Sequence, residues 1–410
     1  MSRPESIRRV LLVLTSQCNL RCGYCYQNDK KPGRMDQDTM FRGIDLAFVS
    51  KHDTVEITFF GGEPLLEMDS LRSGVAYAEE RGRASGKHVT YSISTNGLLL
   101  DDDAVDFLAQ HRFHTQLSFD GVAPMQKLRG TGTFDTLDRL LDEIGERHPN
   151  FLHDCLHISM TLVPRTIPYF ADSIEYFIGK GMREIGVNPS ISMMMDWKLE
   201  RIEELEEQFA QILEISLLHY SATEEIPLKV FRGGSTSSHL RPDSTTMCGV
   251  MRGEEPAVDV DGQVHGCATF VPSFQKFRSP FLRDRIQDMR IGDLRAPDFQ
   301  KRYRLFAGAV KRAEIFHHKE EKYSGYGRCG DCRFLGACAI CPMSIGNLPG
   351  NRDPRRIPDF ACAFNLVALK HRDLFWDRID HEPFAAFSRE TPAELVRIHQ
   401  VAVGAQKIGK

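Results

Sequence analysis

The chain has 410 residues, with 52 Lys and Arg against 56 Asp and Glu, a net charge of −4 and 41% hydrophobic residues. That length gives room for two or three domains of ordinary globular composition, and no basic excess argues for a nucleic-acid partner. Residues 1–9 are charged and contain neither an apolar signal core nor a cleavage site, and no later run has the length of a membrane span. A cytoplasmic protein is expected, with neither membrane nor nucleic acid among its partners.

From residue 8 to about 190, strand-like and helix-like runs alternate. The strands are expected at 9–15, 55–60, 89–95, 115–119, 157–163 and 184–187, and the helices between them at 35–50, 70–86, 102–112, 133–147 and 169–181. Asp102 is the expected N-cap of the third helix. Six β/α units in series predict a parallel sheet with helices outside it, and an active site at the C-terminal ends of the strands. Residues 197–220 read as a charged amphipathic helix, with the acidic run 203–207 as its solvated face. A bridging loop rich in Gly, Ser and Thr is expected over 230–246. From Cys248 onward helical periodicity is weak and Gly, Pro and Cys are frequent, so metal rather than a large apolar core is expected to organise the chain. Within it, Asp261-Gly262 between 257–260 and 263–265 predicts a tight hairpin that returns Cys267 toward Cys248. Residues 392–402 read as a short helix.

The 11 cysteines lie at 18, 22, 25, 155, 248, 267, 329, 332, 338, 341 and 362. An odd number in a large chain without an export signal argues against a disulfide scaffold. Ten of them have metal-ligand spacing. Cys18-x3-Cys22-x2-Cys25 follows the first strand directly, and three such thiolates can hold three irons of a [4Fe-4S] cluster, leaving the fourth iron open. A zinc site would take four ligands in paired knuckles. After the second strand comes Gly61-Gly62-Glu63-Pro64, whose glycines let main chain approach a ligand closely. Ser94-Thr95-Asn96-Gly97 follows the third strand, and Ser118-Phe119-Asp120-Gly121 the fourth, with Arg129 shortly downstream. Each alone reads as a simple turn; four at successive strand ends point to one pocket. Cys248, Cys267, Cys329, Cys332, Cys338, Cys341 and Cys362 form the second group, for which structural zinc is the rival reading because two C-x2-C pairs occur. Cys155 reads as a buried inert thiol and His265 as a packing residue. Met193-Met194-Met195 reads as core or as the lining of a peptide cavity, and Trp197 carries no functional signal.

Residues 8–190 closely resemble the radical S-adenosylmethionine (SAM) superfamily, and 248–365 resemble the SPASM domain found in its peptide- and protein-modifying members. The resemblance implies an α/β fold, a partial (β/α)6 barrel over 8–190 followed by a small, irregular iron–sulfur domain over 248–365. A helical bridge and loop at 191–247 and a C-terminal helical segment at 366–410 complete the expected organisation. It implies a [4Fe-4S] cluster on Cys18, Cys22 and Cys25, with the open iron chelating SAM. One electron then cleaves SAM to methionine and a 5′-deoxyadenosyl radical that abstracts a substrate hydrogen atom. By position, Glu63 would pair with the methionine ammonium and Tyr24 would contact the adenine region. Ser118 and Arg129 would meet ribose and carboxylate, with Gly61, Gly62, Pro64, Thr95, Asn96 and Asp120 completing the SAM pocket.

The resemblance further implies two auxiliary [4Fe-4S] clusters. Cys329, Cys332, Cys338 and Cys362 would hold the outer one. Cys248, Cys267 and Cys341 would hold the inner one, its last site filled by Asp243 or a substrate group. The chain departs from the family at two points. Only two residues separate Cys338 from Cys341, where three are usual, and no cysteine lies between Cys155 and Cys248. The related anaerobic sulfatase maturases carry an aspartate directly after the second auxiliary cysteine, and Ala268 stands there instead. The expected activity is therefore oxidative crosslinking of a peptide or protein, as in maturases of ribosomal peptides. Sulfatase-type maturation and a small-metabolite oxidoreductase or epimerase are the alternatives, and the third class weighed is a non-catalytic metal scaffold. No catalytic acid or base is identified. Because the cluster strand begins near residue 9, either a separate partner binds the leader or the substrate is recognised otherwise, and an electron donor of flavodoxin or ferredoxin type is expected.

Overall fold

The computed structural model describes residues 6–25, 27, 32–190, 197–232, 253–272, 289–312, 319–341, 353 and 355–381. Cys248, Asp243, Met193-Met194-Met195 and the expected helix at 392–402 lie outside the described residues. Two compact units form, each discontinuous in sequence. Unit 1 comprises Met1–Leu117, Ser244–His318 and Pro342–Pro354; unit 2 comprises Ser118–Asp243, Lys319–Cys341 and Arg355–Lys410.

Unit 1 begins with β1 (Arg9–Thr15), α1 (Gln37–Phe48), β2 (Thr54–Gly61), α2 (Met68–Ser85), β3 (His88–Thr95), α3 (Asp102–Gln110) and β4 (His114–Leu117). These four strands are mutually parallel neighbours in the order β1–β2–β3–β4. Val10, Leu12, Val13 and Leu14 of β1 are all buried. A strand covered on both faces needs such a continuous apolar run rather than alternation. Each helix buries one stripe against the sheet: Met40, Ile44 and Ala47 on α1, Leu71, Val75 and Ala78 on α2, Val105 and Leu108 on α3. Asp36 caps α1 by accepting from Thr39 N at 2.7 Å. The cap of α3 is Asp101, one residue before the expected Asp102; its carboxylate accepts from Ala104 N at 2.9 Å. Asp101 alone of the three consecutive acids has the extended backbone a cap needs, and Asp102 and Asp103 occupy the first turn.

Unit 2 continues with α4 (Ala123–Gln126), α5 (Thr133–Arg147), α6 (Pro149–Asp154), β5 (Leu156–Leu162), α7 (Phe170–Gly179), β6 (Ile185–Pro189) and α8 (Ile202–Thr223). Strands β5 and β6 are parallel, with Ile158 opposite Ile185. The parallel α/β class expected from the sequence is thus observed.

The chain then returns to unit 1 as β7 (Ala257–Val258), β8 (Gln263–His265), β9 (Arg290–Asp293) and α9 (Phe299–Arg312). The expected hairpin forms, with Ala257 opposite His265 and Gly262 at φ +84°. Strand β7 also pairs in parallel with β1, Leu11 opposite Ala257, so the hairpin extends the main sheet. Val13, Ala257 and Val271 share a buried cluster there.

Unit 2 closes with a short ribbon of β10 (Tyr323–Ser324) and β11 (Gly327–Arg328), then the long α10 (Asp359–His381). Helices α9 and α10 correct the expectation of little helix and little apolar core beyond Cys248. In α9, Phe299, Tyr303 and Phe306 are buried at helical spacing. In α10, Phe360, Phe364, Val367, Ala368 and Phe375 are buried, and Phe364 meets Phe209 of α8 at 5.6 Å between ring centroids. Apolar residues lie on more than one side of α10, which blurs its period in the sequence. Among the described residues, no helix is long and apolar enough to cross a membrane.

Candidate functional site

In unit 1 the site is built on the continuation of β1 and β2 past their C-terminal ends. Gly62 N donates to Thr15 O and Glu63 N to Gln17 O, both at 2.8 Å, so the strand pairing runs straight into the loop of Cys18, Cys22 and Cys25. A Cβ on Gly61 would lie 2.5 Å from Thr15 O, and one on Gly62 2.1 Å from Gln17 O. The two glycines therefore admit the main chain of the cysteine loop.

Glu63 is 1% exposed. Its Oε1 accepts from Leu65 N at 3.1 Å and from the Thr95 hydroxyl at 2.8 Å, and its Oε2 accepts from Asn96 N at 2.7 Å. One carboxylate thus ties the end of β2 to the end of β3. Asn96 carries the tie onward, its Nδ2 donating to Asn19 Oδ1 at 2.7 Å and approaching Cys18 Sγ at 3.7 Å. Leu20 N donates to the same sulfur at 3.4 Å. Cys25 N donates to Cys22 O at 3.1 Å, closing the turn that carries the last two thiols. All three cysteines are half-buried, Tyr24 between them is buried, and Pro64 is buried behind Glu63. The sequence reading missed Asn19; its pairing with Asn96, 77 residues away, left no local signal.

In unit 2, Ser118 is half-buried after β4, while Asp120 and Arg129 are 1% and 8% exposed. Asp120 Oδ1 accepts from Arg129 Nη2 at 2.8 Å and from Thr161 N at 2.9 Å, and Arg129 also donates to Ser159 O at 3.3 Å. The structure pairs these two expected ligand contacts with each other, as a buried clasp onto β5. Gly121, at φ +111°, lets the chain turn against Ser173; a Cβ there would sit 2.2 Å from Ser173 Cβ.

The second cysteine group is also visible in unit 2. Cys329, Cys332, Cys338 and Cys362 line one cavity of ≈ 50 Å³, with Lys319, Lys322, Ser324 and Phe334 in its wall. The first three come from one loop, held by Cys332 N to Cys329 O at 3.1 Å and Cys338 N to Phe334 O at 2.9 Å, and the fourth from the first turn of α10. Burial pushes the Cys362 thiol up to about 12; the Ser324 hydroxyl, 3.1 Å away, opposes this, and the neighbouring cysteines add to it. Burial also raises Cys338, and burial with Cys338 and Cys332 raises Cys329. Thiolates in this cavity therefore need a cationic centre, and a coordinating metal deprotonates thiols outright. Among the described residues, no three His, Cys, Asp or Glu side chains converge on a single-ion position.

For the other expected set, Cys267 is half-buried in unit 1, Cys341 is exposed in unit 2, and Cys248 lies outside the described residues. His265, two residues before Cys267, is 1% exposed, and neither ring nitrogen has a partner among the described residues. Burial, with Arg290 nearby, holds its pKa down at about 4, so it is a neutral packing group. Ala268 begins the single helical turn Ala268–Phe270 that follows Cys267. Cys155 is buried, as expected of an inert thiol.

Residues 12–177 match the model of the Radical SAM superfamily. A cysteine-type anaerobic sulfatase-maturating enzyme of Clostridium novyi is 29% identical over 125 residues, 28% of this chain and 33% of that protein. The chain spans 62% or less of the length of the first curated relatives it matches. Among solved structures, anSMEcpe with bound AdoMet and Kp18Cys peptide superposes with a TM-score of 0.68 at 15% identity, over 92% of this chain and 99% of that one. Streptococcus suis SuiB bound to its precursor peptide SuiA superposes with a TM-score of 0.55 at 13% identity, over 88% and 76% of the two chains. The strand-end carboxylate beside a three-cysteine loop and the family match over that loop show a Radical SAM domain at residues 12–177, in a chain whose fold is shared with anSMEcpe and SuiB.

Proposed function

We infer that the chain is a radical SAM maturase that abstracts a hydrogen atom from a peptide or protein and installs an oxidative crosslink. The observation that carries this reading is the cavity of Cys329, Cys332, Cys338 and Cys362, a second thiol set besides Cys18, Cys22 and Cys25. Forming a bond after hydrogen abstraction leaves one electron to be removed, and an auxiliary cluster is a place for it. The neighbours with bound peptides, anSMEcpe and SuiB, support a peptide substrate. The domain organisation inferred from the sequence, a core over 8–190, a bridge over 191–247, an auxiliary-cluster region over 248–365 and a tail over 366–410, belongs to the same proposal. So do an inner cluster on Cys248, Cys267 and Cys341, the leader-binding partner and the flavodoxin- or ferredoxin-type donor.

Within this reading, Cys18, Cys22 and Cys25 hold the core [4Fe-4S] cluster, which with bound SAM supplies a hydrogen-abstracting radical. The protein's own part is placement. Glu63, held by Leu65 N, the Thr95 hydroxyl and Asn96 N, pairs with the methionine ammonium, and Tyr24 flanks the adenine. Asn96 steadies the Cys18 sulfur. Ser118 and Arg129 serve ribose and carboxylate, with Asp120 setting the guanidinium.

The similarity to the sulfatase-maturating enzyme of Clostridium novyi favours a second reading, maturation of a sulfatase by oxidation of one residue. Ala268 at the position of that family's expected base weighs against it. Anaerobic incubation with SAM, a reductant and candidate peptides separates the two. Crosslinking releases 5′-deoxyadenosine and leaves an intact peptide two hydrogens lighter with a new internal bond. Conversion of a sulfatase peptide to an aldehyde supports the second reading, and absence of both products at full iron loading excludes both. In parallel, Cys329→Ser is expected to lower bound iron by about four per chain if the unit 2 set holds a cubane.

A further inference from the structure

The unit 2 cavity carries two cations that its thiol set does not account for. Lys322 is 1% exposed and Lys319 is half-buried, and both line the same cavity as Cys329, Cys332, Cys338 and Cys362. Lys319 begins the single helical turn Lys319–Glu321. Its Nζ donates to Leu335 O at 2.8 Å and to Cys338 O, which fixes the ammonium on the main chain of the ligand loop. Lys322 is tied to the same loop through its carbonyl, which accepts from Cys329 N at 2.9 Å. Burying an ammonium costs free energy unless negative charge faces it. Burial pulls the Lys319 ammonium down, and Cys338, Cys329 and Cys332 push it back up, so the cysteines are its electrostatic partners.

We propose that Lys319, with Lys322 beside it, is the counter-charge of the cluster bound by Cys329, Cys332, Cys338 and Cys362, and holds that cluster at a higher reduction potential than the four thiolates alone would give. The inference rests on the reading that these cysteines bind a cluster. One-electron reduction adds one negative charge to an already anionic four-thiolate centre. A fixed ammonium in the same low-dielectric cavity stabilises the reduced form more than the oxidised form, because cluster potentials follow net charge and polar surroundings.

The test uses the full chain, loaded anaerobically with iron and sulfide. Iron is counted, and an EPR-monitored redox titration follows the signal that Cys332→Ser abolishes. Lys319→Gln keeps donors for the two carbonyls but removes the charge. It is expected to retain wild-type iron and to make reduction at least tenfold less favourable, a fall of about 59 mV for one electron. Lys319→Arg restores the wild-type midpoint, and Lys322→Gln shifts it in the same direction as Lys319→Gln. Wild-type iron with an unchanged midpoint in Lys319→Gln overturns the proposal. An iron count that Cys332→Ser leaves unchanged overturns the cluster reading instead. If Lys319→Gln loses the iron, Lys319→Arg decides: retention at the wild-type midpoint supports the charge role, and loss there as well overturns it in favour of shape.

Discussion

Glu63 shows how a single carboxylate positions a site before any cofactor is bound. It accepts from Leu65 N, Thr95 Oγ1 and Asn96 N while almost wholly buried. Glu63→Gln turns one acceptor into a donor, and in either amide orientation an NH2 group then opposes a buried N–H or hydroxyl. Hydrogen bonds to charged groups contribute about 1.5–3 kcal/mol each, so iron-free Glu63→Gln should lose about that much stability in urea unfolding, independently of SAM. Gly62 is as constrained. Gly62→Ala places a Cβ 2.1 Å from Gln17 O, and relief requires moving the loop of Cys18, Cys22 and Cys25. Overpacking of this kind costs about 1–3 kcal/mol, and iron bound by a variant lacking the auxiliary cysteines should fall with it. At this scale the sequence was a good guide to which residues matter. The Gly-Gly-Glu-Pro run marks the strand end directly, whereas the target of the glycines, the backbone of residues 15–17, is visible only in the folded chain.

Elements are locked together by ion pairs whose worth depends on burial. The Asp120–Arg129 pair joins the segment after β4 to β5 at 2.8 Å with both side chains nearly inaccessible. Removing one partner leaves a buried, uncompensated charge, so Arg129→Met should cost about 3–5 kcal/mol, and the Asp120→Asn/Arg129→Met double variant should recover part of it. Calorimetric unfolding of the two variants checks this. The edge of β6 is held differently. Burial alone would raise Glu184, yet Lys229 at 2.9 Å, with His157 and Arg232, outweighs it and holds the carboxyl at about 2. A depressed carboxyl contributes stability that is complete above its unfolded value, near 4.3, and is lost as pH falls toward 2. Stability measured from pH 5 to pH 2 should therefore decline less steeply in Glu184→Gln than in the wild type. Periodicity made most of these elements legible: β1 to β3 lie within about a residue of their expected bounds. It failed for α9, whose Phe299, Tyr303 and Phe306 stripe was present but lay in a stretch dominated by charge, and for α10, which is apolar on too many sides to show a clean period.

For the whole molecule, sequence order and spatial order part company. Residues 257–265 belong to the same compact unit as residues 9–15, because β7 covers the free side of β1. A chain cut after residue 243 keeps every core motif but leaves β1 as an unpaired, apolar edge, which is a template for aggregation. Such a fragment should elute as soluble aggregate in size-exclusion chromatography under conditions where the full chain gives a single species; a monodisperse fragment would show that β7 is dispensable. The same separation governs the sites. By itself the sequence determined the α/β class, the three-cysteine loop, the strand-end motifs and the thiol spacing, because period, glycine placement and ligand spacing are local properties. Only the tertiary structure decided that Glu63 clasps two strand ends, that Asp120 and Arg129 face each other, and that Cys362 joins Cys329, Cys332 and Cys338 round a cavity with two lysines in its wall. Those contacts join residues from 9 to 33 positions apart, set by packing and charge compensation in a low-dielectric interior, and no local pattern encodes them.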